Sequence, residues 1–152
     1  MGLLDSLPET TDAQELQERQ YLEEALKGIM ISRTDEAAKE TVVSFIAQVG
    51  EAEAVALLIN VLSIQEAASA ETPLSVASVR ALQQIGQPAL DPLIEALEND
   101  DDLTRKRASL ALGKMGDGRA IEPLKPLLSD PKSFVREAAL DALDELGAED
   151  VA

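Results

Sequence analysis

The stretches that decide the fold are ALQQIGQPALDPLIEAL at residues 81–97 and ALGKMGDGRAIEPLKPLL at residues 111–128, because they share one pattern. In each, an Ala-Leu pair stands four and three residues before an apolar residue that directly precedes a glycine. Residues with this spacing share one helical face, and glycine readily takes the left-handed conformation that ends a helix. The first part of each stretch therefore predicts a helix that stops at Gly86 or Gly116.

The second part of each stretch predicts a partner helix that returns alongside the first. The sequences ALDPL at residues 89–93 and AIEPL at residues 120–124 match position for position, and Leu97 and Leu128 continue their apolar faces. Proline inside a helix removes a backbone hydrogen bond, so we expect Pro126 to kink the second of these helices. Each stretch thus encodes an antiparallel helix pair.

The same pattern recurs on both sides of these stretches. Ala-Leu pairs begin at Ala81, Ala111 and Ala142, at spacings of 30 and 31 residues, and a looser version covers residues 42–62. Helix pairs that repeat at such a period stack side by side and bury a continuous core. The sequence therefore predicts an all-α fold, an α-solenoid of stacked antiparallel helix pairs with about four units and a short acidic C-terminal end. Further upstream, Thr11 with Gln14 predicts a capping box at the start of an N-terminal helix.

These patterns divide the chain into a flexible N-terminus, a single repeat domain and a tail. The predicted boundaries are 1–10 for the flexible N-terminus, 11–147 for the domain and 148–152 for the tail. Within the domain they are 11–33 for an N-terminal helix, 34–63 for a divergent repeat, 64–72 for a connector, 73–100 and 101–130 for two regular repeats, and 131–147 for a terminal half repeat.

The composition excludes several kinds of chemistry. The 152 residues include no cysteine, histidine or tryptophan, and only 2% are aromatic. Without imidazole or thiol groups there is no catalytic triad, no ordinary zinc site and no disulfide scaffold. We therefore expect no metal, no cofactor and no catalysis by the chain alone.

The predicted location is the cytoplasm. The longest apolar stretch, residues 54–64, is interrupted by Asn60 and Ser63 and is shorter than the roughly 20 residues that span a bilayer. We therefore expect no transmembrane segment. The absence of cysteine agrees with a reducing compartment.

Charge points to a protein partner rather than a nucleic acid. The formal net charge is -16, which opposes contact with phosphates. Basic residues nevertheless cluster between residues 105 and 136. One interpretation is a solvated face with ion pairs between repeats. The other is a surface that binds an acidic protein or an anionic group, with the contact residues Lys106, Arg107, Lys114, Arg119 and Lys125.

Two short motifs have simple structural interpretations. The acidic turn at residues 99–102 lacks the glycine and glutamate of a calcium loop, and it is better explained as a helix cap. The glycines at 113–118 superficially resemble a phosphate loop, but no strand precedes them. We expect a helix end and a turn there.

The repeat also resembles a known family. The sequence VREAALDALDELG at residues 135–147, preceded by DGRAIEPL at residues 117–124, looks like the HEAT-like repeat of the phycobilin lyase type. The resemblance covers residues 73–147 well and residues 35–62 loosely. In that family an aspartate that ends one repeat pairs with an arginine that begins the next.

The resemblance implies ionic links between neighbouring repeats. It implies a pair between Asp130 and Arg136, and another between Arg105 and either Asp100 or Asp101. Ser75 stands where the first regular repeat would carry the equivalent arginine, so no such link is expected there.

Two functions remain open. The repeat, together with the absence of histidine and cysteine, favours a non-catalytic adaptor or scaffold that binds another protein. The resemblance implies instead a subunit of a phycobilin lyase, or a factor for phycobilisome assembly or turnover that handles bilin-carrying proteins. In that case arginine and lysine side chains would pair with the propionates of an open-chain tetrapyrrole.

Overall fold

The computed structural model describes residues 12–64 and 73–149, and all regular structure within them is helical. The α-helices are α1 (Ala13–Ile31), α2 (Asp35–Val49), α3 (Glu51–Val61), α4 (Pro73–Ile85), α5 (Gln87–Ala96), α6 (Asp102–Met115), α7 (Ile121–Leu124) and α8 (Ser133–Glu145). Two 3-10 helices, Gly118–Ala120 and Lys125–Ser129, flank α7.

Side-chain caps start several of these helices. The carboxylate of Asp12 accepts hydrogen bonds from the backbone N–H groups of Gln14 and Glu15 at 2.9 and 3.4 Å. The predicted cap Thr11 lies outside the described residues, and the observed cap lies one residue later. A carboxylate suits this position because it both accepts the N–H groups and carries a charge opposite to the helix dipole.

Glycines end the helices as the pattern predicts. Gly50, Gly86, Gly116 and Gly147 have positive φ angles of 94°, 73°, 72° and 69°. A residue with a Cβ atom rarely adopts such angles. The predicted helix ends at Gly86 and Gly116 are confirmed. Gly116 is left-handed as predicted, with ψ 16°, whereas Gly86 has ψ −130° and a different positive-φ conformation.

Pro126 has a larger effect than the predicted kink. The second helix of its repeat consists of the short α7 followed by the 3-10 helix Lys125–Ser129, in which Pro126 lies in the first turn. Because proline has no N–H to donate, the α-helical bond pattern stops there and tighter turns replace it.

The helices form two rows. Helices α2, α4, α6 and α8 are successive neighbours in one row, and α3 and α5 are neighbours in the other. Contacts of α3 with α4 and of α5 with α6 join the rows around a continuous core of alanine and leucine. The predicted α-solenoid is confirmed. Helix α1 departs from the alternation, since it packs against both α2 and α4.

Some predictions fall on residues that the structure does not describe. They are the flexible N-terminus at 1–10, most of the connector at 64–72 and the last part of the tail at 148–152. Within residues 12–64 and 73–149, no single helix has the length and apolar character needed to cross a membrane. Helices α2 and α3 meet those criteria only together, and the chain bends by 114° between them.

Candidate functional site: a groove between two repeats

A concave surface lies between α4 and α6. A cavity of about 440 Å³ opens there, and a second of about 350 Å³ shares Gln83 and Lys114 with it. Because the two cavities share lining residues, we treat them together and call them the α4–α6 groove. Its apolar lining residues are Val76, Val79 and Leu110, and its basic ones are Arg80, Lys106, Arg107 and Lys114.

The groove is open because α4 and α6 do not approach as closely as α6 and α8. A Cβ atom placed on Gly113 of α6 would lie 2.8 Å from the Cα atom of Ala142 in α8. The residue of α4 in the same repeat position is Gln83, which has a Cβ atom and an amide that donates to the Lys114 carbonyl at 3.2 Å. We attribute the wider spacing of α4 and α6 to the Cβ atom of Gln83, since glycine at the equivalent position allows backbone contact.

Arg107 belongs to the interior of the fold. Only 3% of the residue is exposed, and its Nη1 donates to the carbonyls of Leu62 and Ile64 at 2.6 and 2.8 Å. Helix α3 has no basic residue in its last turn, so this guanidinium supplies the donors that the end of α3 lacks. The prediction of Arg107 as a surface contact is corrected: its charge is used to bind the end of α3.

Arg80 likewise donates to backbone carbonyls at the end of α1. It was not among the contact residues predicted from the sequence. Its Nη1 donates to the carbonyls of Ile29 and Ser32 at 3.4 and 3.3 Å, and its Nη2 donates to Asp35 at 3.0 Å. The signal was present, because Leu110 and Asp141 occupy the same position in the other repeats. An arginine without an equivalent in neighbouring repeats indicates a contact outside the repeat.

Lys106 and Lys114 are the two predicted contact residues that line the groove. They stand eight residues apart on α6 and are therefore separated by about 12 Å along its axis. Within residues 12–64 and 73–149, neither lysine forms an ion pair. Their charges remain available to a ligand in the groove.

Arg119 and Lys125 are engaged in local pairs. Arg119 binds the Asp117 carboxylate through Nε and Nη2 at 3.1 and 2.9 Å, and it also donates to the side chain of Gln87. The hydrogen bond from Arg119 holds the pKa of Asp117 well below its usual range. Lys125 pairs with Glu122 at 2.6 Å. Neither basic residue lines the α4–α6 groove.

The inter-repeat pairing of Asp130 differs from the implied one. Arg105 binds Asp130 through Nε at 2.8 Å and Nη2 at 3.2 Å, while its Nη1 donates to the carbonyls of Asn99 and Asp100. Arg136 contacts the backbone carbonyls of Asp130 and Pro131 at 2.7 and 3.3 Å.

Both arginines therefore hold the loop before their own helix, and only Arg105 also binds the carboxylate. The expected pairs of Asp130 with Arg136, and of Arg105 with Asp100 or Asp101, are corrected to Arg105 with Asp130. The hydrogen bond from Arg105 lowers the pKa of Asp130.

The acidic turn acts as a cap. Asp101 accepts from the backbone N–H and the hydroxyl of Thr104 at 2.7 and 2.8 Å, which confirms the predicted cap of α6. Within the part of the chain that the structure describes, no group of three or more Asp and Glu side chains is arranged to hold a metal ion.

The fold and the groove define a repeat protein of the α-solenoid class. A family model of HEAT repeats matches residues 63–144, more than half of the 152 residues. The chain belongs to the HEAT repeat family.

Curated relatives share the repeat region. The chain is similar to the phycocyanobilin lyase subunit alpha of Nostoc sp. (strain PCC 7120), with 42% identity over 65 residues, 38% of this chain and 24% of that protein. It is similar to the uncharacterized phycocyanin operon protein Z of Pseudanabaena tenuis, with 35% identity over 75 residues, 47% of this chain and 37% of that protein.

A relative with a different printed activity matches equally well. The deoxyhypusine hydroxylase of Phaeosphaeria nodorum is 42% identical over 65 residues, 40% of this chain and 20% of that protein. The chain thus spans between a fifth and about two fifths of the length of these relatives. The repeat resembles that of phycobilin lyase subunits, as predicted, and proteins of another activity share it.

Proposed function

We propose that this chain is a non-catalytic helical-repeat adaptor that binds an acidic surface of another protein through the α4–α6 groove. The observation that supports it is the placement of Lys106 and Lys114, without ion pairs to the described residues, beside the apolar side chains of Val76 and Leu110. Apolar contact supplies affinity, and the two charges select the partner and its orientation.

The charge balance of the chain sharpens this argument. Acidic residues number 29 and basic residues 13, so carboxylates to neutralise a lysine are abundant. In the groove the carboxylates of Asp35 and Asp117 pair with arginines, so Lys106 and Lys114 form a local positive site in a negative field. At physiological salt the Debye length is about 8 Å, so an acidic partner is repelled weakly at a distance and attracted on contact.

The groove carries recognition chemistry rather than bond-making chemistry. Its two carboxylates are both paired with arginines, Asp35 with Arg80 at 3.0 Å and Asp117 with Arg119 at 2.9 Å. The chain has no histidine or cysteine to act as a general base or nucleophile at neutral pH. The cytoplasmic location stays a prediction that accompanies this proposal.

A display experiment tests the proposal. A library of random protein segments is selected against the immobilised full chain, and the enriched segments are then tested on two charge-matched variants. The test variant carries Lys106→Glu and Lys114→Glu. The control carries Lys39→Glu and Lys132→Glu, which change two basic residues outside the groove. Circular dichroism establishes that both variants fold.

The expected result is enrichment of acidic segments that bind the wild-type chain and the control variant but not the test variant. Equal binding of the enriched segments to both variants would count against the groove as the contact surface. A selection that enriches no segment at all would count against the adaptor function itself.

A second function is supported by the phycocyanobilin lyase and phycocyanin operon relatives. The chain would be a subunit of a phycobilin lyase, or a factor that handles bilin-carrying proteins, with Arg80, Lys106 and Lys114 facing the bilin propionates. It ranks second because the deoxyhypusine hydroxylase shares the repeat to the same extent. Titration of the chain with phycocyanobilin tests it, since binding alters the visible absorption of the pigment. An unchanged spectrum removes this function for the isolated chain.

A further inference from the structure

The distance between Lys106 and Lys114 restricts which ligands can contact both lysines. Lys106 and Lys114 line one groove, about 12 Å apart along α6, with Leu110 midway between them in the sequence. A helix that lies along α6 places residues seven or eight positions apart at about 10 to 12 Å, and residues three or four positions from each on the same face. An amphipathic helix can therefore place acidic residues against both lysines and apolar residues against Leu110 between them.

The backbone of the partner also favours a helix. The groove walls are the side chains of α4 and α6, whose backbone groups are already bonded within their own helices. An extended segment would bring its N–H and C=O groups against apolar side chains with no sheet edge to pair with. A helix satisfies its backbone groups internally and leaves only side chains to be matched.

Exposed apolar side chains lie in the groove wall and at the end of α1. Val76, in the groove wall, is 53% exposed. Ile31 is 81% exposed and directly precedes Ser32, whose carbonyl accepts from Arg80 of the groove.

From these observations we infer that the occupant of the α4–α6 groove is an acidic amphipathic α-helix of a partner protein. It lies along α6, with one carboxylate on Lys106, another seven or eight residues away on Lys114, and an apolar strip on Val76 and Leu110. This inference rests on the proposed function and specifies the chemistry of the partner.

Designed peptides test the inference against the full chain by fluorescence anisotropy. The first is a labelled helical peptide with glutamates at positions i and i+7 and leucines at i+3 and i+4. The second has the same composition, with the glutamates moved to the opposite face. The third is the first with a proline at its centre. We expect the first to bind roughly tenfold more tightly than the other two, because two ion pairs and the apolar match depend on spacing and helicity.

The variants of the display experiment locate the contact. Lys106→Glu with Lys114→Glu should weaken binding of the first peptide by tenfold or more, and Lys39→Glu with Lys132→Glu should leave it unchanged. Similar affinities for the three peptides would overturn the inference. So would self-association of the chain that the groove substitutions abolish, since the occupant would then be a second copy.

The inference and the proposed function fail in different ways. If displayed segments need Lys106 and Lys114 but the three peptides do not differ, only the helical occupant is wrong. If displayed segments bind equally well to both charge-reversed variants, the groove itself is wrong.

Discussion

Helix α6 meets α8 so closely that a Cβ atom on Gly113 would lie 2.8 Å from the Cα atom of Ala142, whereas a cavity of about 440 Å³ remains between α6 and α4. The two junctions join equivalent helices that share the Ala-Leu pair but differ at most other positions. Glycine at 113 allows backbone contact, and Gln83 at the equivalent position of α4 does not. Glycine at this position of the repeat is one feature that distinguishes the closed junction from the open one.

Arginine side chains anchor α6 at both the closed junction and the open junction. On the closed side, Arg105 binds the carboxylate of Asp130 in the loop that leads to α8. On the open side, Arg107 reaches past α4 to the end of α3 and binds the carbonyls of Leu62 and Ile64. Helix α6 therefore keeps its position although the groove is open, because Arg107 bonds it to the end of α3 in the second row of helices.

The largest effect is expected from Arg107→Ala, which removes the hydrogen bonds between α6 and the end of α3. Alanine fits the position, since Ala77 and Ala138 occupy it in the neighbouring repeats. The loss leaves two buried carbonyls without donors, so the free energy of unfolding should fall by about 2 to 4 kcal/mol in urea denaturation. The control is Arg136→Ala, which also removes bonds to two carbonyls but at an exposed residue, and should cost less than about 1 kcal/mol. Equal costs would show that burial does not matter here.

Gly113→Ala tests the closed junction. The new methyl group would lie 2.8 Å from the Cα atom of Ala142 and 3.0 Å from its Cβ, so α8 must move away. Overpacking should cost about 1 to 3 kcal/mol and outweigh the gain of up to about 1 kcal/mol from the better helix former. The measurement is the free energy of unfolding. Gly118→Ala is the control, because a Cβ atom there has nothing within 4 Å; if it destabilises equally, crowding is not the cause.

The pair of Arg105 and Asp130 makes the closed junction sensitive to acid. The pKa of Asp130 is lowered in the folded chain by the hydrogen bond from Arg105. The pair therefore stabilises the fold fully above the ordinary aspartate pKa of about 3.9, and this contribution is lost as the pH falls through the lower folded value. Its size, from a double-mutant cycle with Arg105→Gln and Asp130→Asn, should be about 1 kcal/mol at pH 7.

Unfolding measured between pH 6 and pH 2.5 checks the sign. Asp130→Asn should be less stable than the wild-type chain at pH 6, and the difference should shrink as the pH falls. Asp141→Asn, at an exposed position of α8, is the matched control. A difference that grows in acid would contradict the assigned pKa direction.

The sequence was informative where the structure is local. The Ala-Leu spacing and the glycines at 86 and 116 fixed helix faces and helix ends, because these depend on residues within one or two turns. It was uninformative about the destinations of Arg80 and Arg107, which bind carbonyls 43 to 51 residues away. Every residue has a carbonyl, so such a partner leaves no mark in the sequence.

The predicted contact residues Lys106 and Arg107 are neighbours in the sequence but have different environments in the fold. The clustering of basic residues along the chain predicted Lys106 and Lys114 as contact residues, and both line the α4–α6 groove. It gave no warning that Arg107, one residue from Lys106, points to the interior at a position where other repeats have alanine. A comparison of equivalent positions across repeats, rather than of charge along the chain, would have separated them.

The smallest effect is expected from Gln83→Ala at the open junction. The amide of Gln83 makes one exposed hydrogen bond to the Lys114 carbonyl, and water replaces such a bond at little cost. Since alanine keeps the Cβ atom that blocks backbone contact, the change in unfolding free energy should stay within about 0.5 kcal/mol. The separation of α4 and α6 should be unchanged too. The chain has no cysteine, so spin labels at Val76→Cys and Lys106→Cys, which are equivalent positions of the two helices, report that distance. A cost above about 1 kcal/mol, or a shorter distance, would mean that the amide rather than the Cβ atom holds the groove open.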